Sequence, residues 1–337
     1  MYDYIIVGGG VAGLNLARLI KNKNVLLLEE HKDLGPRRCS GIVSRRIKRL
    51  LEFPKSTIEK EIRKVRLWCR EKSYELELDS LVLDKEKFEQ FLLKMAKQKV
   101  EVRSERALKV ERKYNVVRVE TKNAAYVAKY VIGCDGANSL VRKAFVRDEP
   151  KKFYFGEFLY SSEMPKDRYE IFFDSKYSDL FAWTAPRRGK VEYGLIAEKG
   201  LIEYKKRFLA EKTPRKVLDE FFGVIPTGMC KCSFEKGILV GNAAGQTKPL
   251  TGGGIVYSLI AGQIAAKELN KEKPDFKAYE RLCKKAFGQE IALQMWARKA
   301  YSKMNDGQKE AALKMLAGKG RKIDMDFPMT NMLKIGK

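Results

Sequence analysis

Apolar residues near the start of the chain come in unbroken runs. Tyr4-Ile5-Ile6-Val7 and Val25-Leu26-Leu27-Leu28 are bounded by glycine, asparagine or charged residues. Runs without alternation predict strands buried on both faces, as in a parallel sheet, and the stretch from about Ala12 to Ile20 reads as the connecting helix. Alternation begins later. Lys64 to Leu78 sets Val65, Leu67 and Cys69 on one arm and Tyr74, Leu76 and Leu78 on the other, the pattern of an antiparallel hairpin. Asp84 caps a helix in which Phe88, Phe91, Leu92 and Met95 share a face, so those aromatics are core. Val100 to Val102, Tyr114 to Val119 and Tyr126 to Ile132 read as further strands.

From Lys151 to about Lys236 strands dominate, with Phe153, Tyr154, Phe155, Phe158, Tyr160, Tyr169, Phe172 and Phe173 among them. Such a sheet is either one wall of an apolar cavity or a plain antiparallel core. Phe181 to Pro186 ends one strand and Val191 to Ala197 forms the next, while helices are expected around Tyr204 to Leu209 and Arg215 to Phe222. Pro249 to Ile255 opens a helix reaching about Leu269. Beyond Asp275 the pattern is helical, with Ile291, Met295, Trp296, Tyr301 and Met304 able to form an apolar stripe that packs on the body, faces lipid or lines a tunnel.

The punctuation between these runs carries the chemistry. Gly8-Gly9-Gly10-Val11-Ala12-Gly13 follows the first strand at once, giving G-x-G-x-x-G between strand and helix. Gly8 allows a tight turn, Gly10 lets the backbone approach a pyrophosphate, and Gly13 lets helix and strand pack closely. Glu29 closes the second strand, where its carboxylate can accept ribose hydroxyls. Gly133-Cys134-Asp135-Gly136-Ala137-Asn138-Ser139 and Arg142 stand at the end of a later strand, and Gly241-Asn242-Ala243-Ala244-Gly245 follows another. Asn242 with the glycine-rich helix start suits a ribityl chain or phosphate. The small residues around Cys39, Ser40 and Gly41 would let backbone lie against a flat ring, and Arg37 and Arg38 could face phosphate. Read alone, Cys39 is a core thiol.

A chain of 337 residues can hold more than one domain. The expected division is a discontinuous nucleotide-binding domain (1–55, 80–150 and 236–274), an antiparallel-sheet substrate domain (56–79 and 151–235) and a helical C-terminal segment (275–337). Lys plus Arg is 68 against 43 Asp plus Glu, a net charge of +25. That attracts anionic membrane, phosphorylated substrate or nucleic acid, or marks a surface adapted to heat. The basic residues are scattered and no nucleic-acid motif accompanies them, so nucleic acid is not an expected partner. The six cysteines lack zinc-like spacing, no metal site is expected, and the single histidine, His31, falls in a loop expected to be exposed. No segment reads as a signal peptide or membrane span, which makes a cytoplasmic protein the expectation.

Taken together, the N-terminal motif with Glu29, the Gly133 to Arg142 stretch and the Gly241 to Gly245 stretch resemble FAD-dependent enzymes of the para-hydroxybenzoate hydroxylase fold. The resemblance implies an α/β architecture: a Rossmann-like FAD-binding domain with an inserted antiparallel-sheet substrate domain and a short helical C-terminus. Within that group the chain looks most like the geranylgeranyl reductase family. The residues carrying this are Arg38-Cys39-Ser40 with Ser44, then Phe181, Trp183 and Pro186, and Pro249 to Ile255. It implies FAD contacts at Gly13, Glu29, Cys39, Ser40, Lys85, Ala107, Asn242, Gly254 and Ile255, besides Gly8, Gly10 and Asp135. It also implies a prenyl site lined by Phe181, Trp183 and Pro186, with Cys39 beside the flavin as the candidate catalytic residue. Asn242 stands where the family has Asp, Lys85 where it has Arg, and Ala185 where an aromatic precedes the proline.

The expected function is therefore an FAD-dependent reductase that saturates C=C bonds of a geranylgeranyl chain in an isoprenoid lipid or its precursor. Its expected partners are that lipid, an anionic membrane touched peripherally at the inner face, and a reduced donor such as a ferredoxin-like protein. The rivals are an FAD-dependent aromatic monooxygenase and a non-catalytic prenyl-binding carrier.

Overall fold

The computed structural model describes residues 1–32, 39–164, 168–318 and 324–330. Arg37 and Arg38 lie outside the described residues. The unbroken apolar runs become the centre of a parallel sheet. Tyr2–Val7 pairs in parallel with Val25–Glu29 on one side and Ala125–Gly133 on the other. Glu101–Ser104 and Gly237–Leu239 extend it in parallel at either end. Tyr4 to Val7 and Val25 to Leu28 are all buried, as strands covered on both faces must be. The helices Val11–Ala17, Lys85–Lys97 and Ile255–Leu269 pack around this sheet.

Alternating segments build the second sheet. Its spatial order is Val217–Thr227, Lys152–Ser161, Lys190–Ala197, Phe181–Arg187, Tyr169–Phe172, Ile58–Cys69, Lys72–Leu83 and Ile42–Ser44. Neighbours are antiparallel except Tyr169–Phe172 against Ile58–Cys69. Residues 42–44 and 80–83, grouped by sequence with the nucleotide-binding part, thus pair inside the second sheet. One face of this sheet holds Phe158, Phe181, Trp183 and Ile196, and the other packs Leu159, Phe172 and Leu195 against Phe208 of the Leu201–Lys212 helix.

Three expectations need correction. Arg215 to Phe222 is not a helix, because Val217–Thr227 is an edge strand paired along Lys152–Ser161. Long-range pairing there overrides local helical spacing, and Pro226 is tolerated because an edge strand leaves one side unpaired. Tyr114 is no strand residue but a 94% exposed turn position at φ +53° between Lys109–Lys113 and Val116–Glu120. In the Gln289–Tyr301 helix the buried face is Ile291, Gln294 and Arg298, whereas Trp296 is 68% exposed. Ile291 is buried and Met295 packs on the core as expected, while the Arg298 guanidinium takes a buried place beside them and donates to the Leu250 carbonyl at 2.8 Å.

Arg142 holds the first sheet's loops in place. Its buried guanidinium donates to the Ala243 carbonyl at 2.9 Å and the Ala137 carbonyl at 2.8 Å, and pairs with Glu149 at 2.9 Å. The stretches 133–142 and 241–245 are therefore clamped by one side chain. Arg142→Met strands one buried and one half-buried carbonyl and should cost about 3 kcal/mol, lowering Tm by several degrees in a calorimetric scan. Arg142→Lys should recover only part of that, since a point ammonium cannot reproduce the fork.

Candidate functional site

The two sheets meet at one cavity of about 360 Å³. From the first sheet's side come Gly10, Val11, Ala12, Cys134, Gly136, Asn242 and Gly252 to Ile255. From the second come Phe158, Tyr169, Ile171, Phe181, Trp183 and Ile196, with Cys39, Ser40 and Lys85 at the junction. Nine sequence-predicted site residues are thereby brought together: Gly10, Cys39, Ser40, Lys85, Phe181, Trp183, Asn242, Gly254 and Ile255.

The others stand elsewhere, each for a visible reason. Gly8 and Gly13 are packing glycines, since a Cβ on Gly13 would lie 2.0 Å from the Gly8 carbonyl oxygen. Glu29 accepts the Gly9 N–H at 2.6 Å and meets His31 Nδ1 at 2.7 Å, so its carboxylate also braces the glycine loop. His31 is half-buried by that contact rather than free in an exposed loop. Asp135 turns inward, accepting Ser139 Oγ at 2.5 Å and the Leu140 and Val141 N–H groups at 2.6 and 3.0 Å. Burial pushes its carboxyl up, and these bonds oppose the shift. Ala107 is half-buried against the main core, outside the cavity lining. Pro186 is likewise outside the lining; it borders a separate depression beside residues 60–66.

The lining fits a flavin nucleotide. The Thr251 hydroxyl is buried in the lining without a hydrogen-bond partner, so a ligand with a donor or acceptor would satisfy it. A Cβ at Gly10 or Gly136 would meet nothing within 4 Å, so space is open above both. Gly254, where a Cβ would lie 3.1 Å from Asn242 Oδ1, precedes the fifteen-residue helix Ile255–Leu269, so the helix N-terminus and Asn242 line the cavity together.

Cys39 is the half-buried cysteine of the six, its sulfur accepting the Gly41 N–H at 3.4 Å. Burial pushes the Cys69 thiol up to about 11 and those of Cys230 and Cys283 up to about 12, and raises Cys134 and Cys232 as well. Iodoacetamide at neutral pH should therefore alkylate Cys39 before the other five, as read by peptide mass spectrometry, and added FAD should protect it. A first adduct on any buried cysteine would contradict this placement.

Sequence reasoning missed two buried charge networks around the cavity. Lys248, 3% exposed, lines it and pairs with Asp326 Oδ1 at 2.9 Å. Asp326, fully buried, also accepts Ser44 Oγ, and its carbonyl accepts Tyr257 OH at 2.7 Å. Behind Trp183 lies the second network: Trp183 Nε1 donates to Glu192 at 2.7 Å, Arg187 approaches Glu192 at 3.3 Å and Glu59 at 2.7 Å, and Arg187 donates to the Ser40 carbonyl. The only advance signal was a charge inside an otherwise apolar strand, as at Glu192. Lys248→Met and Asp326→Asn should each cost about 3–5 kcal/mol by leaving a buried charge unpaired, whereas the double variant should cost at least about 1 kcal/mol less than their sum in apoprotein denaturation.

Comparison with known proteins follows the same lines. Residues 1–154 match the family of FAD binding domains. The chain is 27% identical to an uncharacterized protein of Methanocaldococcus jannaschii, over 94% of this chain and 88% of that one. It is 28% identical to digeranylgeranylglycerophospholipid reductase 2 of Methanothermobacter thermautotrophicus, over 94% and 92% respectively. A geranylgeranyl bacteriochlorophyll reductase-like protein of Thermoplasma acidophilum superposes with a TM-score of 0.85 at 20% identity, covering 99% of this chain and 95% of that one. The chain is accordingly a flavoprotein of the para-hydroxybenzoate hydroxylase fold that takes FAD and resembles the archaeal digeranylgeranylglycerophospholipid reductases along nearly its whole length.

Proposed function

We propose that this FAD-dependent oxidoreductase saturates carbon–carbon double bonds of a polyprenyl chain, of the geranylgeranyl type, in an isoprenoid lipid or its precursor. The observation that carries the reading is the chemistry of the lining. Among its described residues there is no carboxylate, histidine or arginine, and its two lysines are already paired, Lys85 with Glu89 and Lys248 with Asp326. Facing them is a wall of Phe158, Ile171, Phe181, Trp183, Ile196 and Ile225. Such a wall suits an uncharged hydrocarbon chain better than an ionised aromatic acid. The names of the archaeal relatives support the same substrate class.

Bound FAD, once reduced, supplies the hydride. An isolated alkene is a poor acceptor, so the chain's own residues must hold it close, exclude water and deliver a proton to the second carbon. Trp183 and Phe181, with ring centroids 5.9 Å apart, form the rigid part of the wall. Cys39 is assigned to the reaction point because its thiol lines the cavity where the two sheets meet. The Ser40 hydroxyl next to it stands beside Glu192, whose carboxyl is raised by burial while Arg187, Trp183 and Ser40 oppose the shift. The electron donor in this reading is a separate reduced carrier of the ferredoxin kind, and the lipid is met at the inner face of an anionic membrane. Among the described residues, no helix is long and apolar enough to cross a membrane.

The test is anaerobic. Dithionite-reduced protein is mixed with geranylgeranyl phospholipid, and flavin reoxidation is followed together with product mass. Reoxidation with a gain of two hydrogens per step is expected, and Cys39→Ala should slow it by about 10²-fold or more if the thiol delivers the proton. Reoxidation only after admission of air, with a hydroxylated product, would replace the reading with a monooxygenase; colourless protein that takes up no FAD would replace it with a carrier.

A further inference from the structure

The edge strand Val217–Thr227 has two different neighbours. Its Gly223, Val224 and Ile225 line the cavity, as does Gly156 on the paired strand. One residue away on each strand, Phe222 is 51% exposed and Phe155 is 36% exposed. Their rings stack with centroids 6.3 Å apart on the face of the sheet that carries the Leu201–Lys212 helix, so they form one apolar surface behind the cavity wall. Val217 and Leu218 continue it along the strand at 49% and 46% exposure, and Ile202 of the Leu201–Lys212 helix adds a 62% exposed side chain.

Cations surround this apolar strip. Lys206, Arg207, Arg215 and Lys216 are all exposed, and none makes a salt bridge among the described residues. Between 199 and 222 the sequence carries seven basic and four acidic residues. The acids closest to the aromatic pair are already engaged: Lys205 bridges Glu157 at 2.6 Å and Glu220. Exposed Phe, Leu, Val and Ile between unpaired lysines and arginines match what an anionic lipid surface requires, namely shallow insertion of apolar side chains with basic groups at headgroup level.

We propose that the face formed by Phe155, Ile202, Val217, Leu218 and Phe222, with Lys206, Arg207, Arg215 and Lys216, docks on an anionic bilayer and brings the free edge of Val217–Thr227, which also lines the cavity, to its surface. A prenyl chain leaving that bilayer then reaches the cavity, on the sheet's other face, around this edge strand. The proposal rests on the lipid-reductase reading for its purpose, and on the exposed face for its evidence.

The experiment is co-sedimentation of the FAD-loaded full chain with vesicles of phosphatidylcholine alone or with about one-third phosphatidylglycerol. Binding should be at least about tenfold tighter to the anionic vesicles and should weaken as salt rises. Lys206→Glu with Arg207→Glu should weaken binding about 25-fold or more, at roughly fivefold per lost basic group. Phe155→Ser with Phe222→Ser should weaken it at least about tenfold, even at low salt. Both double variants should keep the wild-type Tm and the wild-type rate on a detergent-dispersed prenyl substrate.

Wild-type protein that ignores anionic vesicles, or variants that bind as well as wild type, would overturn the docking face. So would concentration-dependent dimers abolished by the Phe variants without any vesicle binding, since the edge strand would then serve a second copy. Vesicle binding without prenyl reduction would leave the face standing and remove the reductase reading; reduction of dispersed substrate without vesicle binding would do the reverse.

Discussion

A single buried guanidinium ties the apolar wall to the loop that carries the cavity cysteine. Arg187, 3% exposed, sits at the end of Phe181–Arg187 and reaches the carbonyls of Ser40 and Leu83, the carboxylate of Glu59 at 2.7 Å and that of Glu192 at 3.3 Å. A charge in such a place is tolerable only beside opposite charges and acceptors, so these partners are held close around it. Glu192 passes the constraint to Trp183 through the indole N–H. Gly194 completes it, because a Cβ there would lie 2.2 Å from the Trp183 ring. The indole therefore lies across Gly194 of the neighbouring strand, where it lines the cavity.

The opposite wall obeys the same rule. Arg142 binds the 133–142 and 241–245 loops, and the Lys248–Asp326 pair fastens residues 324–330 beside the cavity. Backbone amides of Met329 and Thr330 donate to Glu290 at 3.0 and 2.7 Å, and Arg46 meets Asp324 at 2.5 Å, so that short segment is anchored at both ends. Met325 within it lines the cavity. Apolar surface supplies most of the stabilisation in both halves, while buried ion pairs decide which loops face the cavity and how. The proposed chemistry needs that division of labour, because a dry site gains its low dielectric from the first and its fixed geometry from the second.

Local features were legible wherever local physics governs them. Tyr4 to Val7 and Val25 to Leu28 are strands because unbroken apolar runs must be covered on both sides. Asp84 caps its helix by accepting the Lys87 N–H, as its position before an amphipathic run requires. The Gly8 to Gly13 motif and Gly252 to Ile255 are readable because small residues leave room for backbone approach. Arg215 to Phe222 was misread because an edge strand has no periodicity of its own when most of its residues face water; its state depends on the strand beside it. Trp296 was misread because the buried places on its helix are taken by Gln294, which accepts the Leu250 N–H, and Arg298, which donates to the Leu250 carbonyl, contacts with a residue distant in sequence.

The chain's amino acids alone determined the nucleotide-binding unit, the aromatic second sheet and the unusual positive charge, since each rests on near-neighbour spacing or composition, whereas the candidate set around Cys39 came from the family resemblance. Tertiary structure alone decided that Pro186 stands away from the cavity while Trp183 enters it, and that Asp135 serves the turn it belongs to. It also decided that Lys248 meets Asp326, and that Phe155 and Phe222 share an exposed face on the reverse of the cavity wall. All of these are contacts between residues far apart in sequence or choices between two faces of a strand. A strand's alternation assigns residues to two sides, and only the packing of the sheets says which side is the site.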